Sequence, residues 1–412
     1  MHSEILIVAV ILALVAYLAW LLSPPGAPKP FVSADKDIVL KENITQPESR
    51  GNDIRTFTAF SPMVSAMEQD IRSARSYVHL SFFKFEDDAV GRRLAGLMAE
   101  KAAQGVEVRL LVDWAVCAKY RSLYKEMEAD GISVKLFSPI AIPFLRKSDN
   151  YRYHRKIVVI DGLVAYIGGM NIADRYGEGL SWGQWRDTHI RITGTAVPDC
   201  EYAFARDWAY GDGDLLSDAK YYPKVAPTGS TGIDIVCSGP RGEGPAVMTR
   251  LCDIIDRSER YAWLESPYLI PTKEVQDSLF RAASRGVDVR IIIPPRSDRG
   301  WFTPLASKSY IAGFLDAGVK IAEYGKGFMH SKTIVCDDRY VSVGSTNIDP
   351  RSYILDYEIN AFMDDPSYAS VMKDIFIDDE QGAHYIDKDE WARRSLPEKT
   401  GEAFSKLLSA QL

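Results

Sequence analysis

The chain opens on an unbroken apolar run, Ile5 to Leu22; beyond it hydrophobic residues come only in short bursts. At about 1.5 Å per residue the run makes about 27 Å of helix, close to the thickness of a bilayer core. Tyr17 and Trp20 sit toward its end, where amphipathic rings favour the headgroup layer. The pattern predicts a retained single-pass anchor over residues 1–22. A cleaved signal peptide fits less well, because His2, Ser3 and Glu4 offer no basic leader and Ser23-Pro24-Pro25 replaces a small-residue cleavage site. Lys29, Lys36 and Lys41 follow the span and no Lys or Arg precedes it, which predicts anchorage in the cell inner membrane with the body in the cytoplasm. Pro24, Pro25, Pro28 and Pro30 stiffen a stem, and residues 23–52 read as linker.

After the linker the bursts repeat. Ala102 to Val112 (AAQGVEVRLLV) matches Ala282 to Ile293 (AASRGVDVRIII): a helix end, a glycine, then an apolar strand. Ile71 to Leu80 matches Ile255 to Leu264, and Gly131 to Lys135 matches Gly318 to Ile321. Helical patterns alternate with short β-rich runs, predicting α/β layers around a mostly parallel sheet. A separation this long exceeds any solenoid unit and points to duplication. Pro223, Pro227 and Gly229 mark the boundary, giving one domain over 53–224 and a second over 232–412 that ends in a helical tail. A pseudo-two-fold axis should relate them.

Composition narrows the class. With 412 residues, 46% hydrophobic and 25% charged, the chain is ordinary globular material. Lys plus Arg minus Asp plus Glu is 49 − 56 = −7, which disfavours a nucleic-acid coat, so an anionic substrate must be met by local positive charge. Cys117, Cys200, Cys237, Cys252 and Cys336 are odd in number and lack C-x-x-C spacing, so neither a disulfide framework nor a zinc site follows.

The chemistry lies at matched places. The first copy carries His154-Arg155-Lys156 with Asp161, and after six intervening residues Gly168-Gly169-Met170-Asn171. The second carries His330-Ser331-Lys332 with Asp337, and at the same remove Gly344-Ser345-Thr346-Asn347. One H-x-K on a strand is most often structural. Two among six histidines, with the same downstream pattern, are not explained by packing. On a strand, residues i and i+2 share a face, so each His and Lys project together. Brought face to face, two imidazoles, two ammonium groups and the amides of Asn171 and Asn347 suit a single phosphodiester, with one His attacking phosphorus and the other protonating the leaving oxygen. No carboxylate–histidine cluster at metal-ligand spacing accompanies them, and catalysis without metal or cofactor is expected. A nucleophilic imidazole needs its far nitrogen held, and Asp187 and Glu358 stand ready downstream of each Asn. Asp161 and Asp337 complete the catalytic motifs, but at an odd offset past the strand end; they are assigned to bracing the turn.

These paired H-x-K-x4-D motifs resemble the phospholipase D superfamily. The strings YRYHRKIVVIDG, GGMNIADRY, WRDTH, ESPYLIP, GFMHSKTIVCDD and GSTNIDPRS are similar to those of bacterial cardiolipin synthases of that type, over roughly Ile54 to Asp365. The resemblance implies two duplicated α/β domains with mixed sheets and one shared site. It implies His154 as nucleophile, His330 as general acid, Lys156, Lys332, Asn171 and Asn347 on the phosphate, and Asp187 and Glu358 orienting the imidazoles. It further implies phosphatidyl transfer between two phosphatidylglycerol molecules through a phosphohistidine, releasing glycerol and yielding cardiolipin. A hydrolase or a membrane-anchored nuclease would keep the same motifs. The chain departs from typical long members in carrying one N-terminal span rather than two. The partners implied are phosphatidylglycerol, cardiolipin and an anionic lipid surface, with no nucleic acid expected. Phe137 to Lys147, an apolar stretch ending in two bases, suits insertion at such a surface, as do Trp301-Phe302 and the tail from Ala403 to Leu412; packing onto the body competes for each.

Overall fold

A computed structural model describes residues 50–137, 150–210, 214–297 and 302–408. The predicted anchor, the stem to residue 49, most of the apolar insertion and Trp301 lie outside the described residues. Among the described residues no helix is long and apolar enough to cross a membrane.

The first copy contributes strands β1 (Arg50–Phe57), β2 (Tyr77–Phe82), β3 (Glu107–Asp113), β4 (Ser133–Phe137), β5 (Arg152–Tyr153), β6 (Ile157–Ile160), β7 (Val164–Gly168), β8 (Gln184–Arg186) and β9 (His189–Gly194). The second contributes β10 (Thr231–Ser238), β11 (Tyr261–Glu265), β12 (Asp288–Ile293), β13 (Lys320–Glu323), β14 (Gly327–Met329), β15 (Thr333–Cys336), β16 (Tyr340–Gly344), β17 (Asp356–Asp364) and β18 (His384–Tyr385). Read from its outer edge, the first half-sheet runs β4-β3-β2-β6-β7-β9-β1, and the second runs β18-β13-β12-β11-β15-β16-β17-β10. Apart from β18 the orders correspond strand for strand. β1 and β10 pair antiparallel, so the halves form one continuous sheet about a central pseudo-two-fold.

The sheet is mixed rather than mostly parallel. Within the two half-sheets β2, β3 and β4, and their counterparts β11, β12 and β13, run parallel, because there helices supply the crossovers; the short pairs β5–β17 and β8–β14, made between the copies, are parallel too. The remaining strands are joined as antiparallel neighbours. β6 and β15 lie between others with all their residues buried, which is why Ile157–Ile160 and Thr333–Cys336 read as near-continuous apolar runs.

Repeated glycines stop the crossover helices. Gly105, Gly131, Gly286 and Gly318 have φ between +86° and +88°. In each, the next residue's N–H returns to a carbonyl five positions back: Val106 to Lys101, Ile132 to Met127, Val287 to Ala282, and Val319 to Phe314. These are four helix C-caps of one design, each followed by a buried apolar residue that leads directly into the next strand. The tail helix Leu396–Leu408 packs on Phe302–Asp316, with the Lys406 ammonium 4.8 Å from the Tyr310 ring, so its described residues dock on the body.

Candidate active site

Each motif histidine is placed by a strand of the other copy. β5 runs beside β17 with Tyr153 opposite Tyr357, and the His154 N–H donates to the Tyr357 carbonyl at 3.0 Å. β14 runs beside β8 with Met329 opposite Arg186, and the His330 N–H donates to the Arg186 carbonyl at 2.7 Å. One residue further along each ladder the side chains meet. His154 Nδ1 lies 2.9 Å from Glu358 Oε1, and His330 Nδ1 lies 2.6 Å from Asp187 Oδ2. The pairs are crossed: neither copy supplies both members of either one. A carboxylate on Nδ1 leaves Nε2 as the nitrogen available for chemistry on each ring.

The cluster is nearly closed to solvent. His154, Lys156, His330, Lys332, Asn171, Asn347, Asp187 and Glu358 are all buried. Lys156 Nζ donates to the His154 carbonyl and Lys332 Nζ to the His330 carbonyl, so each ammonium folds back beside its own imidazole. Burial brings the Lys156 ammonium down to about 7; Glu358 opposes this and Lys332 adds to it. The two carboxylates diverge. Burial holds Glu358 well above the usual range despite Lys156, whereas burial at Asp187 is outweighed by Lys332 and His330, which bring it below.

The motif glycines make room for these carboxylates. A Cβ on Gly169 would sit 2.0 Å from Asp187 Oδ1. At the matching place in the second copy stands Ser345, whose hydroxyl donates to Glu358 Oε2. Glycine therefore faces the short carboxylate and serine the long one. Sequence reasoning took the glycines only as members of the repeated motif and missed this pairing.

Asp161 and Asp337 complete the motifs in sequence but lie outside the cluster, bracing turns. Asp161 accepts from the backbone N–H groups of Arg75, Ser76 and Tyr77 at 2.8 Å each. Asp337 accepts from those of Glu259, Arg260 and Tyr261 at 2.7 to 2.9 Å. Both sit in the left-handed region (φ 52° and 57°), which aspartate tolerates, and each pins the hairpin after β6 or β15 to the start of a neighbouring strand. The two asparagines differ. The Asn171 side-chain nitrogen donates to the Tyr176 hydroxyl and its oxygen accepts from the Lys84 N–H. Asn347 donates to Ser352 Oγ at 3.2 Å, and its Oδ1 has no hydrogen-bond partner among the described residues.

Two buried arginines escaped sequence reasoning, since neither stands out by spacing. Arg155, between His154 and Lys156, donates through Nε to the Glu358 carbonyl at 3.0 Å and through Nη1 to Asp207 at 2.5 Å. Arg186 holds Asp379 through Nε at 2.8 Å and Thr188 Oγ1 through Nη1 at 2.8 Å. Arg155 thus braces the Glu358 backbone, while Arg186 ties β8, whose carbonyl receives the His330 N–H, to Asp379. Beside His154 opens a cavity of about 300 Å³ that Asn347, Asp349, Asp356, Arg152 and Arg351 also line. Among the described residues no group of three His, Cys, Asp or Glu side chains is placed to hold a metal ion.

Two imidazole–carboxylate pairs and two lysines, gathered at the seam of a duplicated mixed sheet, define a site of the phospholipase D type. A family model described as cardiolipin synthase, PLD-like domain, matches residues 67–208 and 251–379, and the chain belongs to that family. It is 38% identical over 362 residues to a cardiolipin synthase of Staphylococcus aureus, covering 87% of this chain and 73% of the relative. With a cardiolipin synthase of Geobacillus thermodenitrificans it shares 36% over 370 residues, 89% of this chain and 74% of the other. Among solved structures, phosphatidylserine synthase from Haemophilus influenzae superposes with a TM-score of 0.69 at 15% identity, covering 92% of this chain and 100% of its own. Polyphosphate kinase from Porphyromonas gingivalis does so at 0.54 and 16%, covering 88% and 52%. At those identities the likeness is one of fold.

Proposed function

We propose that the chain is a cardiolipin synthase, a phosphatidyltransferase that joins two phosphatidylglycerol molecules and releases glycerol. The observation that supports the reading is the crossed arrangement, in which the Nδ1 of each imidazole is held by a carboxylate from the other copy. One Nε2 attacks phosphorus while the other protonates the departing glycerol oxygen; the second imidazole then takes a proton from the terminal hydroxyl of the next phosphatidylglycerol. Lys156 and Lys332 neutralise the phosphoryl oxygens, and Asn171 and Asn347 complete the phosphate site. One phosphodiester replaces another, so no nucleotide is consumed. A hydrolase would use the same groups but let water in at the second step. The membrane partner is an anionic lipid surface, approached from a single-pass anchor over residues 1–22 with the body on the cytoplasmic side.

Purified protein in mixed micelles with labelled phosphatidylglycerol tests this by product. Cardiolipin with an equal yield of glycerol is the expected result. Phosphatidic acid as sole product would make the chain a hydrolase, and cleavage of single-stranded DNA with no lipid turnover would make it a nuclease.

A further inference from the structure

The two crossed pairs are backed differently. Arg155 of the first copy stands where the second has Ser331, and the match of Ile71–Leu80 with Ile255–Leu264 sets Ser81 in the place of Glu265, the last residue of β11. Behind His154 the Arg155 guanidinium reaches the Glu358 backbone directly. Behind His330 runs a chain of hydroxyls. Arg186 Nη1 donates to Thr188 Oγ1 at 2.8 Å, and Thr188 Oγ1 lies 2.8 Å from Ser331 Oγ. Ser331 Oγ donates to Thr333 Oγ1 at 3.4 Å, and Thr333 Oγ1 donates to Glu265 Oε2 at 2.8 Å. A hydroxyl has one proton to give, so every member points the same way, and Glu265 is the acceptor on which the run ends. Its members flank the pair they back. Arg186 and Thr188 stand on either side of Asp187, the Thr188 N–H donates to Asp187 Oδ1 at 2.8 Å, and Ser331 follows His330.

We propose that Glu265 is a positioning residue for the Asp187–His330 pair, fixing it through the Thr333, Ser331 and Thr188 hydroxyls. The role presupposes the reading of the chain as a phosphatidyltransferase. Glu265 is 2% exposed and comes from the second copy, whereas Thr188 and Asp187 come from the first, so the chain crosses the seam beside the imidazole–carboxylate contact. A single guanidinium meets two buried carboxylates here: Arg186 Nη2 lies 2.5 Å from Asp379 Oδ2 and 3.8 Å from Glu265 Oε2. The Tyr324 hydroxyl is a further ionisable neighbour. Burial holds Glu265 above the usual carboxylate range, opposed by Arg186 and reinforced by Asp379. For packing alone an apolar side chain of similar volume would serve as well or better at such a place. What a carboxyl adds is an acceptor for the last hydroxyl. The first copy has no matching chain, so the device belongs to one pair only: removing Glu265 should disturb His330 and leave His154 as it is.

Initial rates of cardiolipin formation by the full-length chain in mixed micelles of phosphatidylglycerol test the role. Glu265→Leu, which removes the acceptor, should lower kcat about tenfold or more with KM unchanged. Glu265→Gln, whose amide oxygen still accepts from Thr333, should recover most of that loss. Thr188→Val should cost about as much as Glu265→Leu, and the two together no more than either, because both cut one chain. Losses that multiply, equal losses in Glu265→Gln and Glu265→Leu, or a kcat that none of these changes would each overturn the assignment. The imidazole nitrogen-15 spectrum of histidine-labelled protein gives an answer without turnover. The His330 signal should move in Glu265→Leu and return in Glu265→Gln while that of His154 stays; an unmoved His330 signal, or both moving alike, overturns it. Should Glu265→Leu fail to fold, Thr333→Val against Thr333→Ser makes the same comparison from the donor's side. A parent chain that forms no cardiolipin defeats the functional reading, and the spectrum still decides the positioning.

Discussion

Lys156 carries its charge where water does not reach, and with its ammonium brought to about 7 that charge is in balance at neutral pH. The sign follows from the direction of the shift. The folded value lies below the usual 10.5, so burying the protonated amine is a cost, fully present below pH 7 and fading as pH rises toward 10.5. Lys156→Met should therefore raise Tm most below pH 7, with the gain gone near pH 10.5, while phosphatidyl transfer is lost; a gain that grew with pH would contradict the assignment. For the native chain, KM for phosphatidylglycerol should rise between pH 6.5 and 8.5 as the ammonium discharges, which initial rates at graded lipid would show. At the same scale, His154→Ala or His330→Ala should each cut turnover by about a thousandfold or more while thermal unfolding stays near that of the parent. Near-normal activity from either would mean that the two rings do not share one site.

Between residues and molecule stand the short elements that carry them. The fold's outline was legible because duplication doubles every signal: a helix end, a glycine and a β-rich run recur with H-x-K in step. Both histidines, both lysines and both carboxylates could be picked out for that reason. The crossing could not. Periodicity reports which face a residue occupies within its own strand, whereas the pairing of β5 with β17 and of β14 with β8 is made across some two hundred and one hundred and forty positions of chain, respectively. The parallel content was overestimated because alternating helix and strand signals also describe a unit whose later strands join as hairpins. Element-level tests follow from the glycines. Gly105→Ala, which must hold φ at +86°, should cost about 1 kcal/mol in denaturant unfolding with little effect on rate. Gly169→Ala places a methyl against Asp187 and should lower kcat by about a hundredfold, because His330 loses its held Nδ1. Equal rates for Gly169→Ala and the parent would show that Asp187 is not needed where it stands.

For the whole molecule, duplication has made two folds and a single site. A chain ending near residue 224 keeps His154 and Asp187, which are not partners, and the remainder keeps His330 and Glu358, which are not partners either. Either piece alone should form no cardiolipin, and co-expression should restore some, as measured by lipid product in membranes. Turnover by one piece alone would contradict the crossed arrangement.

The β1–β10 ladder has a consequence for water. Lobes stitched edge to edge by backbone hydrogen bonds resist swinging shut along that seam, which leaves dryness at the reacting phosphorus to whatever lies over the mouth of the site. For an enzyme working at a bilayer that cover is the lipid itself. The ratio of phosphatidic acid to cardiolipin should then climb when the same protein is moved from vesicles into detergent, making the choice between transfer and hydrolysis a property of the surface as much as of the chain.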